Sequence, residues 1–238
     1  MKIMVINPNS SKPMTEHVGR VLDKIKRADT ELTVVCPEGG PLAIESAYDE
    51  ALCIPLVLKL VEKANREHYD AVILACFSDP GLEAAREISD ILVTGIEEQA
   101  LHVAAMMGSK FSVLTMNAER VPSKVHDVSR FKLERSLASV RPLGMSVAEV
   151  DAEPERAKER IMKLARQAAE EDGAEVVVLG CAGMAGYAEG ITAELGLAVI
   201  DPSSVALKMT EALVDAGLKP SKRGQYAKPP CIRRSCCG

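Results

Sequence analysis

Two apolar runs of strand length each end at a cysteine, and the cysteines lie 105 residues apart: "DAVILAC" closes at Cys76 and "AEVVVLGC" at Cys181. Around them the two halves of the chain repeat one order. Lys2-Ile3-Met4-Val5-Ile6-Asn7 matches Lys110-Phe111-Ser112-Val113-Leu114-Thr115 at an offset of 108, "ILVTGI" matches "LAVIDP" at 106, and a glycine lies five residues beyond each cysteine, at Gly81 and Gly186. Longer segments of helical period separate the apolar runs. Helices are expected from about Met14, Asp49, Pro80, Glu119 and Met184 and after Asp151, with a Pro/Gly-interrupted stretch over residues 140–146. This alternation is βαβ grammar, and strands apolar on both faces suit a parallel sheet covered on each side by helices. The expected fold class is therefore α/β: two pseudo-symmetric doubly wound lobes, each with a mainly parallel sheet, and an active site in the cleft between them. Lobe 1 is expected to comprise residues 1–97 plus about 202–238 and lobe 2 residues 98–201, with a flexible C-terminal tail over 227–238.

Ligands of open α/β sheets bind beyond the carboxyl ends of the strands. Lobes related by a pseudo-twofold would bring Cys76 and Cys181 to one cleft from opposite sides. A lone cysteine ending an apolar strand is usually a small core residue, but two at the same position of a repeat argue for chemistry. Each is expected to precede a helix start, where free N–H groups and the helix dipole lower a thiol pKa. Asp79-Pro80 would supply such a start, with Asp as cap and Pro at the first helical position. A thiolate on one face of a carbon and a thiol on the other form a two-base device: one removes a proton, the other returns one, and the product is the mirror image.

Composition removes several other classes. A net charge of −5 with acids and bases interspersed gives no basic stripe, which argues against nucleic acid as a partner. No apolar run reaches the ~20 residues needed to span a bilayer. The opening "MKIMVINPNSS" is apolar for only six residues, too short for a signal peptide, so a cytoplasmic location is expected. Seven cysteines in such a chain read as free thiols, and their spacing fits no metal site. A nucleotide site could cite Gly180, Gly183 and Gly186, but this spacing is not Gly-x-Gly-x-x-Gly. A redox pair of Cys76 and Cys181 and a two-lobed small-molecule binding protein remain open at this point.

The stretches "MKIMVINPNSS", "GPLAIESAYDEA", "DAVILACFSDPGLEAAREI", "SKFSVLT", "EDGAEVVVLGCAGMA" and "GLKPSKRGQYAKPP" together cover nearly the whole chain. In them the sequence resembles the hydantoin racemases of the aspartate/glutamate racemase superfamily. The resemblance implies cofactor-independent racemisation at C5 of a 5-substituted hydantoin, Cys76 and Cys181 as the catalytic acid/base pair, two α/β lobes and a homo-oligomer. Allantoin racemase is the nearest alternative, since that relative uses the same double-cysteine plan on a similar ring; an Asp/Glu-type amino-acid racemase is the next. Superfamily members acting on amino acids usually carry Cys-Asn-Thr and Cys-Thr-His. Here Phe77-Ser78 and Ala182-Gly183 follow the cysteines, which favours a neutral ring. The chain departs from the hydantoin pattern at Ser78 and Glu97, where the family usually has glycine.

An enolate formed at C5 needs preorganised donors for its oxygen. The candidates are the N–H groups of Phe77 and Ser78 after one thiol, and those of Ala182, Gly183 and Met184 after the other. Asn7 and Thr115 end the two equivalent opening strands and should reach the same cleft. Asn9 is expected to cap the first helix. Ile44, in the "GPLAIES" stretch, is a candidate wall for the 5-substituent.

Overall fold

The computed structural model describes residues 1–230. Its first half runs β1 (Lys2–Ile6), α1 (Lys12–Ile25), β2 (Glu31–Val35), α2 (Ala47–Arg66), β3 (Ala71–Leu74), α3 (Leu82–Ile88), β4 (Leu92–Gly95) and α4 (Ile96–Met107). The second half runs β5 (Phe111–Thr115), α5 (Val121–Arg130), β6 (Leu137–Pro142), α6 (Val147–Ala152), α7 (Pro154–Asp172), β7 (Val176–Leu179), α8 (Ala188–Leu195), β8 (Ala198–Ile200) and α9 (Pro202–Asp215). The strands form two four-stranded parallel sheets, ordered β2-β1-β3-β4 and β6-β5-β7-β8. The orders are the same once the second half is renumbered, which is the repeat seen in the sequence.

Successive side chains of a strand point to opposite faces, and that alternation sorts the core. Ile3 and Val5 of β1, Ile73 of β3, Phe111 and Val113 of β5, and Val176 and Val178 of β7 join one buried cluster with residues of α4 and α9. The inner faces of both sheets thus share a single apolar layer. The other parity serves the outer helices: Met4, Ile6, Val72 and Leu74 pack with Val57 and Val61 of α2, while Leu114, Val177 and Leu179 pack with Ile161 and Ala165 of α7.

Local signals set most boundaries. Ser11 caps α1 by accepting from the Met14 N–H at 3.3 Å, and Met14, Val18 and Leu22 recur at helical spacing on its buried side. The first part of the Pro/Gly-interrupted stretch, residues 140–142, ends a strand, β6, which pairs in parallel with β5. As an edge strand it is only half-buried throughout, so it lacks the apolar run that identifies its neighbours. The helix expected from Pro80 begins at Leu82, after Gly81 with φ +77°, and the one expected from Met184 begins at Ala188, after a 3-10 turn over Ala182–Met184. In the tail segment expected to be flexible, Lys228 pairs with Asp90 at 2.7 Å; residues 231–238 lie outside the described ones. Among the described residues no helix is long and apolar enough to cross a membrane.

Candidate active site

β3 and β7 end in the same way. The Ala75 N–H donates to the Ile6 carbonyl at 2.8 Å, and the Gly180 N–H donates to the Leu114 carbonyl at 2.8 Å. One residue later each chain delivers its cysteine. The second copy requires a glycine there, because a Cβ at position 180 would lie 2.4 Å from the Leu114 carbonyl oxygen. Cys76 and Cys181 line one narrow pocket, a cavity of about 50 Å3, drawn from the strand ends of both sheets. Asn7, Thr115, Ile44, Phe77, Ser78 and Ala182 line it too, as their sequence positions led us to expect.

Gly183 and Met184 do not line it. The Gly183 N–H donates to the Cys181 sulfur at 3.3 Å, and the Met184 N–H donates to the Cys181 carbonyl at 3.1 Å. The Met184 side chain is fully buried in the core beside α7. The tight 3-10 turn uses these N–H groups on the cysteine itself, leaving Ala182 as the donor candidate on this side. On the other side the Ser78 hydroxyl lies 3.5 Å from the Cys76 sulfur.

Asp79 caps a helix, though not the one that follows it. Its backbone takes φ +45°, and its carboxylate accepts from the N–H groups of Glu97 and Glu98 at 3.1 and 2.8 Å, closing the N-terminus of α4. The Cys76 turn is thereby anchored to the opening of α4. Asn9 likewise serves the loop before α1 rather than capping it. Its Oδ1 accepts from the Ser11 N–H at 2.9 Å and from the Asn7 side chain at 2.8 Å. Asn7 also donates to Thr15 Oγ1 at 2.9 Å, so its amide group is fully engaged, while its own Oδ1 is buried on the pocket wall with no partner among the described residues. A buried acceptor without a donor costs about 1–3 kcal/mol.

The thiol expectation reverses at Cys76. Burial pushes its pKa up to about 12, and the Cys181 thiol adds to the rise, while the Ser78 hydroxyl and the Lys124 ammonium oppose it. No α-helix starts directly behind it, so no dipole offsets the loss of solvent.

Sequence reasoning missed the charged part of the wall. Lys124 of α5 lines the pocket although only 3% exposed, and it pairs with Glu97 at 2.6 Å and Asp127 at 2.8 Å. Arg120, also on the wall, is ion-paired with Glu50 of α2. Met14, Glu45, Met116, Asn117 and Val147 complete much of the remainder. The signal available was positional: Met116, Asn117 and Arg120 follow β5 just as Ser78 and Asp79 follow β3, and both loops lie at strand carboxyl ends.

Comparison with known proteins gives a consistent picture. Residues 3–210 match the family model described as Asp/Glu/Hydantoin racemase. The chain is 40% identical over 230 residues to a hydantoin racemase of Pseudomonas sp. (strain NS671), covering 96% of this chain and 92% of that one. It is 38% identical over 231 residues to a hydantoin racemase of Paenarthrobacter aurescens, covering 96% and 98%. An allantoin racemase from Klebsiella pneumoniae superposes with a TM-score of 0.93 at 36% identity, covering 97% of this chain and 94% of that one.

Proposed function

Since the chain belongs to the Asp/Glu/hydantoin racemase family, we propose that it interconverts the D and L forms of 5-substituted hydantoins by proton transfer at C5 between Cys76 and Cys181. The observation that carries the reading is the single pocket lined by both thiols, each one residue beyond an equivalent strand extension. The C5–H of a hydantoin lies between a ring carbonyl and a ring nitrogen, so loss of its proton gives an enolate. The N–H groups of Phe77, Ser78 and Ala182 are the candidate donors to the ring oxygens. Asn7 Oδ1 is the candidate acceptor for a ring N–H.

Burial pushes the Cys76 pKa up to about 12 and so favours its protonated form. This thiol starts as the acid. Cys181, whose sulfur accepts from the Gly183 N–H, is the base for the enantiomer that presents its C5–H to that side. After one turnover the protonation is exchanged and the opposite enantiomer is the substrate. The pair needs no cofactor for this exchange.

Ile44, Met14 and Val147 give the wall an apolar part suited to a hydrocarbon 5-substituent. Glu45 and Asn117 on the same wall favour a second reading, a ring bearing a polar ureido group, as in allantoin. The thiols of Cys36, Cys53 and Cys76 support a reducing, cytoplasmic setting. Exposed Met106, Met107 and Leu218 support assembly as a homo-oligomer, which sedimentation would measure.

The test is polarimetry in deuterated water on L- and D-5-benzylhydantoin and on one enantiomer of allantoin, with the wild type beside Cys76→Ser and Cys181→Ser. Racemisation with deuterium at C5, lost in both variants, supports the two-thiol reaction, and the preferred ring decides between the two readings. Folded protein that racemises neither ring overturns both.

A further inference from the structure

An ammonium group is costly to bury, and it is stable only when its protons find acceptors and its charge is matched. Lys124 meets these terms in a specific way. Its Nζ donates to Glu97 Oε1 at 2.6 Å, to Asp127 Oδ2 at 2.8 Å and to the Phe77 carbonyl at 2.5 Å. Two of these partners tie α5 to α4 and to itself, as a structural pair would. The third does not belong to either helix: Phe77 is the residue after Cys76, and its carbonyl lies on the pocket turn. The same Nζ sits 5.4 Å from the Phe77 ring centroid.

We propose that Lys124 is a positioning residue for the racemase reaction: it fixes the Cys76 turn through the Phe77 carbonyl, and its charge, moderated by Glu97, sets how readily Cys76 becomes a thiolate. The inference rests on the two-thiol reading above. In that reaction Cys76 must act as a base for one enantiomer, so something has to oppose the burial that keeps it protonated. The Ser78 hydroxyl is one such group and Lys124 is the buried cation.

The other titratable groups around Cys76 do not replace it. Cys181 across the pocket and Cys53 of α2 both disfavour a second negative charge. Asp79 is turned to the α4 N-terminus. On the wall, Arg120 is paired with Glu50, and Glu45 is itself acidic. Glu97 is the brake: it is buried, one of its oxygens lacks a partner among the described residues, and when ionised it offsets the Lys124 charge.

The experiment follows the alkylation of Cys76 by iodoacetamide in the folded full-length protein, resolved from the other cysteines by peptide mass spectrometry, between pH 6 and 9.5. Alkylation below the pKa tracks the thiolate fraction. Lys124→Met is expected to slow Cys76 about tenfold at any one pH, the effect of removing one nearby opposite charge, and Lys124→Arg to restore most of it. Glu97→Gln is expected to come closest to the wild type at pH 6, where the raised pKa of the buried wild-type carboxyl favours its protonated form, and to become several-fold faster by pH 9.5. A Lys124 that acts only as a strut gives a different result. Lys124→Arg then fails to restore the rate lost in Lys124→Met, Glu97→Gln changes the rate by a factor that does not vary with pH, and that outcome overturns the proposal. If Lys124→Met does not fold, the pH dependence of Glu97→Gln decides alone. No substrate enters this assay, so absence of racemisation overturns the functional reading, while a pH-independent Glu97→Gln ratio without rescue by Lys124→Arg overturns the role of Lys124.

Discussion

A Cβ on Gly95 would lie 2.2 Å from the Asp79 Cγ. Gly95 ends β4 with an extended backbone, φ −122°, that any residue adopts, so the glycine is required by space alone. The room it leaves is where the Asp79 carboxylate reaches the first N–H groups of α4, and Asp79 in turn anchors the loop that carries Cys76.

Gly95→Ala is therefore expected to displace Asp79 and uncap α4. Overpacking and a lost cap each cost about 1–2 kcal/mol, so urea unfolding should show a loss of roughly 2–4 kcal/mol. Racemisation should fall as well, through kcat, because the Cys76 turn loses its anchor.

Asn7→Ala should raise KM more than it lowers kcat. Its unpartnered Oδ1 is the acceptor proposed for a substrate N–H, and removing one buried hydrogen bond weakens transition-state binding by about 1–3 kcal/mol, roughly 5- to 150-fold in kcat/KM. Steady-state kinetics on 5-benzylhydantoin measures it. An unchanged KM would remove Asn7 from the binding set.

Ile44→Ala should widen a cavity of only about 50 Å3 on the side argued to hold the 5-substituent. The ratio of kcat/KM for benzylhydantoin over methylhydantoin is expected to rise roughly tenfold, the scale on which a few methylenes discriminate in an apolar pocket. Equal losses for both substrates would mean that Ile44 packs the core instead.

Burial pushes the pKa of Glu97 from 4.5 up to about 8, with Lys124 pulling it back. Between these values the folded protein binds a proton that the unfolded chain has released, so the slope of stability with pH is negative. The stabilisation is complete below the unfolded value of 4.5 and is lost as pH rises through about 8. Glu97→Gln cannot titrate. The loss of unfolding free energy between pH 5 and pH 8 should be smaller in the variant than in the wild type, as read by urea unfolding at the two pH values.

The repeat and its apolar strands were legible in the sequence because continuous burial leaves a continuous run of Val, Ile and Leu. β6 was not, since "LASVRP" is half-buried at a sheet edge and its residues carry no such pattern. The two cysteines and the residues beside them were found by position. Lys124 was not: a lysine followed three residues later by an aspartate on a helix reads as a solvated pair, and only the fold shows that α5 turns it toward Glu97 and Phe77. The direction of the Cys76 pKa was also misread, because helix starts are visible in sequence while the loss of solvent in a closed pocket is not.

The shared layer between the two sheets has a mechanical consequence. Ile3, Val5, Phe111 and Val113 are each wholly withdrawn from water in one cluster, so swinging the halves apart would wet them at about 25 cal/mol for every Å2 uncovered. The span between the two sulfurs is thus held by a buried apolar layer, as the gap of a vice is held by its frame. On the pocket wall the Val147 N–H donates to Glu45 Oε1 at 3.4 Å, a single long hydrogen bond that costs far less to part than the shared layer.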